Sequence, residues 1–298
     1  MFSMQNVIHN LTRLAVASDI TEMATDIRKT GEGIEKLQLN RHEEQIRDWL
    51  SAVDPSTNYA DALEKRHKGT GAWFTGSQAF DDWKKQPNSF LWLHGIPGCG
   101  KTVLSSTIVE HLSEITKPDQ ALLYFYFDFN EANKQTLENM LRSLINQLYQ
   151  RQPDSRGPLD QLWNACRESN HPILKKSLGD VLLVMLNKVK DVSIILDALD
   201  ESTTRNELLT WLRDVLRGER HACRMLVTAR REEDIESALQ RWILPGESMS
   251  LQRNDVNDDI GAYVIDTVRN SDKLGRWYGK PEVQNEIETE LVKRADGM

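Results

Sequence analysis

Phe90-Leu91-Trp92-Leu93-His94-Gly95-Ile96-Pro97-Gly98-Cys99-Gly100-Lys101-Thr102 decides the fold. A short apolar run, long enough for one buried strand, ends in a glycine-rich turn, and a helical pattern then runs from Lys101 to about Ile115. The turn fits G-x-x-x-x-G-K-[ST], with Ile96, Pro97, Gly98 and Cys99 at the variable positions. Each fixed residue type has a physical reason. Gly95 and Gly100 let the main chain curl with its N–H groups pointing inward, a nest for anionic oxygens. The helix opening behind it adds the positive end of its dipole. Lys101 supplies a point charge for β- and γ-phosphates, and the Thr102 hydroxyl a ligand for Mg²⁺. The motif suits ATP and GTP alike, because it reads phosphates and not the base.

Outward from the loop, a second apolar strand, Ile194-Ile195-Leu196-Asp197-Ala198-Leu199-Asp200-Glu201, delivers carboxylates at its C-terminal end. In a parallel sheet that edge is where ligands sit. Asp197 is the candidate to hold Mg²⁺, directly or through water, and Asp200 and Glu201 are candidates to polarise an attacking water. The position after Asp197, where a fast ATPase carries its general base, is Ala198, so slow hydrolysis is expected.

Further strands are expected at 121–129, 224–228 and 249–251, with helices at 136–149, 178–189 and 207–216; residues 152–172 read as irregular or as a short helix. Strands separated by helices require crossover connections and so a parallel sheet. Beyond Leu251 only helical patterns remain, at 256–269 and 283–295, and the last four residues read as a cut end. Upstream, helical spacing runs from Val7 to Leu50 (Val7, Ile8, Leu11, Leu14, Ala15, then Ile20, Met23, Ala24 and Ile27), with a break expected at Ser18/Asp19 and an interruption at Gly31 and Gly33. These helices are packing surfaces for the main domain or a means of self-association. The expected organisation is a helical segment at 1–50, a linker and lead-in at 51–88, a nucleotide-binding core at 89–251, and a partial helical domain at 252–298.

Composition excludes other classes. Of 298 residues, 39% are hydrophobic, a globular balance. The net charge of −8, with no local basic patch, argues against nucleic acid as a partner. No apolar run reaches the length of a membrane span, and the three cysteines, Cys99, Cys166 and Cys223, show no metal-ligand spacing. The expected location is the cytoplasm. Cys99 and His94 read as packed residues, and an approach of His67, close to Gly69 and Gly71, to a nucleotide base is the lesser of its readings.

Together, FLWLHGIPGCGKT (90–102), YFYFDFN (124–130), IILDALDE (194–201) and LVTARR (226–231) resemble the NACHT class of signal-transducing P-loop NTPases, and most of all the fungal NLR-like and nephrocystin-3-like proteins. The run DPSTNYADALEKRHKGTGAW (54–73) is similar to the segment leading into this domain in the fungal members. The resemblance implies an α/β fold, a P-loop NTPase parallel sheet sandwiched by helices. It implies a weak, Mg²⁺-dependent NTPase working as a switch on a purine nucleotide, with a homo-oligomer or another signalling protein as partner. It also assigns Arg230 as the sensor arginine that contacts the γ-phosphate. The competing readings are a turnover ATPase of the AAA type and an interaction module that binds nucleotide for stability alone.

Overall fold

The computed structural model describes residues 2–169, 171–218, 223–251 and 253–295. The chain divides into two compact units, Met1–Ser51 and Ala52–Met298. The first is one helix, α1 (Phe2–Leu50). Neither Ser18/Asp19 nor Gly31 and Gly33 interrupts it, because each costs a helix at most about 1 kcal/mol. The apolar repeat expected at Val7, Ile8, Leu11, Leu14, Ala15, Ile20 and Ala24 falls on side chains outside the described residues, as do Asp296–Met298.

The second unit begins with α2 (Ser56–Lys65), α3 (Ala72–Thr75) and α4 (Gln78–Lys85). Ser77 caps α4, its Oγ accepting from the Phe80 N–H at 3.2 Å. Strands and helices then alternate: β1 (Phe90–His94), α5 (Lys101–Ile115), β2 (Gln120–Tyr126), α6 (Leu137–Arg151), α7 (Gly157–Ser169), α8 (Lys175–Leu186), β3 (Asp191–Asp197), α9 (Arg205–Arg217), β4 (Cys223–Ala229), α10 (Glu233–Leu239) and β5 (Ser248–Ser250). Two helices, α11 (Arg253–Asn270) and α12 (Pro281–Ala295), follow. The second expected strand is shorter than its apolar run, ending at Tyr126 and not at Phe129, and the segment read as irregular or as a short helix holds α7.

All five strands are parallel, in the order β2-β3-β4-β1-β5. Parallel strands covered on both faces read as near-continuous apolar runs, and β1, β3 and β4 do. Alternate residues serve opposite faces. Leu91 and Leu93, Ile195 and Leu226 join Leu104, Ile108 and Leu112 of α5 and Phe74, Phe80 and Trp83 of the lead-in in one core. Helices α6 and α9 contact β2 and β4 respectively. The connection leaving β1 runs towards β2, whereas the one leaving β4 passes to β5 on the other side of β1. Between the carboxyl ends of β1 and β4 the chain therefore diverges, the kind of crevice where open α/β sheets bind ligands. Among the described residues, no helix is long and apolar enough to cross a membrane.

Candidate functional site

The loop after β1 folds as its glycines require. Gly98 and Gly100 both have φ near +80°, a region that favours residues without a Cβ. A Cβ on Gly95 would lie 2.6 Å from Cys99 Sγ and would displace that thiol, so glycine lets the two approach. The first turn of α5 has no intrahelical acceptor for its N–H groups. Among the described residues, no main-chain carbonyl accepts from the N–H of Gly98, Gly100, Lys101 or Thr102. Lys101 folds back over the loop, Nζ donating to the carbonyls of Gly95 and Ile96 at 2.8 Å each. Pro97 lines the same concavity, and Ile96 is half exposed at the loop's crest.

Asp197 ends β3 at the centre of the sheet edge and is only 2% exposed. Leu196 pairs with Val227, which brings Asp197 and Thr228 side by side where β3 and β4 end. The carboxylate is ringed by hydroxyls. Oδ1 accepts from Ser105 Oγ and Thr228 Oγ1, both at 2.6 Å, and Oδ2 accepts from Thr102 Oγ1 at 2.8 Å. Burial raises its pKa, opposed by the three hydroxyls and by Lys101. The next residue, Ala198, adopts the left-handed conformation (φ 57°, ψ 54°), uncommon for a residue with a Cβ. Its N–H donates to Thr228 Oγ1 at 2.9 Å, which secures the turn.

That turn carries the acidic pair into two different roles. Asp200 is buried and holds Arg230: Oδ1 accepts from the Arg230 main-chain N–H at 2.9 Å, and Oδ2 faces Nε at 3.1 Å. Arg205 donates to the Asp200 carbonyl and pairs with Glu232 and Asp234, bracing the turn from behind. Arg231 turns away to Glu236. Glu201 accepts from the Phe129 N–H at 2.9 Å. Its pKa is raised, first by burial and then by Asp200, Asp128 and Asp197, with the Phe129 N–H pulling the other way. A cavity of about 270 Å³ gathers Pro97, Gly98, Gly100, Lys101, Thr102, Ala198, Asp200, Glu201 and Arg230.

A second cavity, of about 280 Å³, lies against Gly98, Cys99 and Gly100 and is walled by the lead-in (His67, Gly71, Trp73) and by α11 (Asp259, Ile260, Tyr263). Asp259 joins those walls, Oδ2 accepting from the Gly71 N–H at 2.9 Å and from Trp73 Nε1 at 3.2 Å. His67 lies at 3.5 Å from Asp266. His94 stays a strand residue packed at a tilt against Trp92, ring centroids 4.6 Å apart, its pKa lowered by burial and by Arg231 and Lys101. Sequence reasoning did not find Ser105, Thr228 or Asp259. Ser105, one turn along α5 from Thr102, carries a helical-spacing signal, but the other two depend on strand register and on a contact 188 residues apart.

The donor set can be tested against a magnesium–triphosphate. Magnesium is commonly held by one or two protein oxygens plus substrate phosphates. Thr102 and Asp197 offer such a pair, and among the described residues no group of three or more His, Cys, Asp or Glu can hold a metal on its own. With the inward N–H groups and Lys101 alongside, the residues fit.

The profile of the family described as "Nephrocystin 3, N-terminal" matches residues 69–230, from the turn ahead of α3 to the arginine after β4. Vegetative incompatibility protein HET-E-1 of Podospora anserina is 26% identical over 208 residues, which cover 66% of this chain and 15% of that relative.

Proposed function

The chain belongs to the nephrocystin-3 N-terminal family of NACHT-type domains, and from that premise we propose that it is a slow, magnesium-dependent purine nucleoside triphosphate switch. The observation that carries the reading is convergence. The main-chain N–H groups of the loop, Lys101, the Thr102–Asp197 pair and Arg230 meet around one cavity at the diverging edge of a parallel sheet.

Thr102 and Asp197 would hold Mg²⁺, which when bound neutralises charge on the phosphates. Lys101 Nζ donates to two loop carbonyls and, at 3.7 Å, to Cys99 Sγ, and exchanging these neutral acceptors for phosphate oxygens is favourable for a cation. Arg230 sits 44% exposed on Asp200, an arrangement that lets its guanidinium face a γ-phosphate while Asp200 keeps hold of its main chain. Glu201, protonated more readily than an ordinary carboxyl, is the candidate to orient water, but its oxygen is tied to Phe129. With Ala198 where a base would stand, these features support a slow rate over a turnover ATPase. Differential affinity of two conformations for the two nucleotides would supply the coupling to a homo-oligomer or signalling partner.

Calorimetric titration with Mg·ATP and Mg·GTP tests the reading. Micromolar or tighter binding is expected for one of them, with at least 100-fold loss on Lys101→Ala. Undiminished binding to Lys101→Ala would refute it. Mass identification of a copurifying nucleotide names the base.

A further inference from the structure

The first unit of the chain carries an apolar seam. Met23, Ile27, Ile34 and Leu37 of α1 are between 51% and 69% exposed. In a heptad abcdefg their spacing places Ile27 and Ile34 at a, and Met23, Thr30 and Leu37 at d. The sequence continues the register upstream through Ile20 at a and Val16 at d, two side chains outside the described residues. It stops where Arg13 and Arg41 occupy a. The seam therefore runs for about 32 Å of helix. A helix of 49 residues draws its stability from packing an apolar face, and heptad spacing over such a length is the pattern of a coiled coil.

The flanks of the seam select its occupant. From Ile27 to Asn40 the charged residues Arg28, Lys29, Glu32, Glu35 and Lys36 all fall on b, c or f, away from the seam. Arg28 and Glu32 face each other there at 3.6 Å. The adjoining e and g positions are Gly31, Gly33, Gln38 and Asn40; upstream, Asp19 and Asp26 lie at g but face Ala24 and Gly31 at e of a parallel partner, so two identical helices meet without like-charge pairs, and no e/g charge pair selects a different partner. Isoleucine at each a position (20, 27 and 34) is the two-stranded preference at a, while d holds Val16, Met23, Thr30 and Leu37. At roughly 100 Å² per buried aliphatic side chain, the four described seam residues of each helix remove about 800 Å² in all, and the two further a and d positions read from sequence alone would bring the span to the lower edge of a stable specific interface. We propose that α1 pairs with α1 of a second copy of this chain as a parallel, in-register, two-stranded coiled coil over residues 16–37.

The pairing is independent of the nucleotide reading, so the full chain is tested without nucleotide and again as Lys101→Ala. Sedimentation equilibrium is expected to give twice the chain mass of 34.2 kDa in both. The double variant Ile27→Asp/Ile34→Asp is expected to raise the dimer dissociation constant at least 100-fold, with the thermal transition of the second unit unchanged. The outer-face control Glu32→Gln/Lys36→Gln is expected to stay dimeric. Leu37→Cys, in a Cys166→Ser background because Cys166 is a partly exposed thiol, is expected to cross-link on mild oxidation, since a parallel in-register pair sets position 37 against itself. A monomer at concentrations up to about 100 μM, an oligomer larger than two, a dimer indifferent to the aspartates, or a dimer that the cysteine leaves uncross-linked overturns the proposal.

Discussion

Asp197 is buried for its position and charged for its proposed task, and the two requirements oppose each other. Desolvation raises its pKa despite three hydroxyl donors and Lys101. A folded-state value above the unfolded one means that the native state holds the proton more tightly. The stability it contributes is complete below the ordinary carboxylate value near 4 and is lost as pH rises through the raised value. Glu201, also raised, has the same sign. The contribution of these two carboxyls, read as the difference between wild-type and variant melts in chelator, is therefore expected to fall from about pH 4 upward. Asp197→Asn keeps an acceptor for Ser105 and Thr228, lets Thr102 turn from donor to acceptor, and removes the buried charge. It is expected to flatten that slope and raise the neutral-pH Tm by about 2–4 °C for each kcal/mol recovered, while losing any stabilisation by Mg²⁺; an unchanged slope would place the titration elsewhere. Glu201→Gln keeps the carbonyl oxygen that meets Phe129, so binding should survive. Single-turnover hydrolysis is expected to slow by about 10²-fold or more, whereas loss of binding with the fold intact would reassign Glu201 to the metal.

Elements were legible where burial is uniform or punctuation is strong. The apolar run Phe90–His94 and the helix Lys101–Ile115 have the boundaries read from sequence, because a strand buried on both faces has no polar interruptions and glycines mark the turn between them. Helix α7 was legible only as one of two readings of residues 152–172; Gly157 and Pro158 occupy its first turn, where a proline removes no helical hydrogen bond. Helix α10 buries only Ile235 and Leu239, too few to show a period. The hydroxyl ring around Asp197 was illegible for another reason: Thr228 is placed by strand register, which a single sequence does not encode locally. In α1 the expected breaks failed because glycine only weakens a helix, and that weakness is measurable. Gly31→Ala and Gly33→Ala, each with open space for the added methyl, are expected to stabilise α1 by about 1 kcal/mol apiece. Slower amide exchange across residues 27–40 checks this, and faster exchange would mean that the glycines serve a bend in solution.

Across the molecule, what makes residues 52–298 more than a sheet with a phosphate loop is that three chain segments far apart in sequence close on one cavity. The lead-in brings His67, Gly71 and Trp73, the loop brings Gly98 and Cys99, and α11 brings Asp259 and Tyr263. If the triphosphate tail lies at Lys101, this neighbouring cavity on the other side of Gly98 and Gly100 is where the nucleoside belongs, and a bound nucleotide would tie the helical segment to the core. Asp259 already makes that tie, through one carboxylate oxygen shared by Gly71 N–H and Trp73 Nε1. Removing the acceptor leaves two donors unsatisfied at a cost of about 1–3 kcal/mol. Asp259→Ala is therefore expected to speed release of a fluorescent nucleotide analogue by roughly 5- to 100-fold, and Asp259→Asn, which retains an acceptor oxygen, to restore most of the difference. Amide exchange over residues 69–75 reports in parallel whether the tie has been cut. Faster exchange there with unaltered nucleotide release would show that the segments close on each other for stability alone, and that the base lies elsewhere.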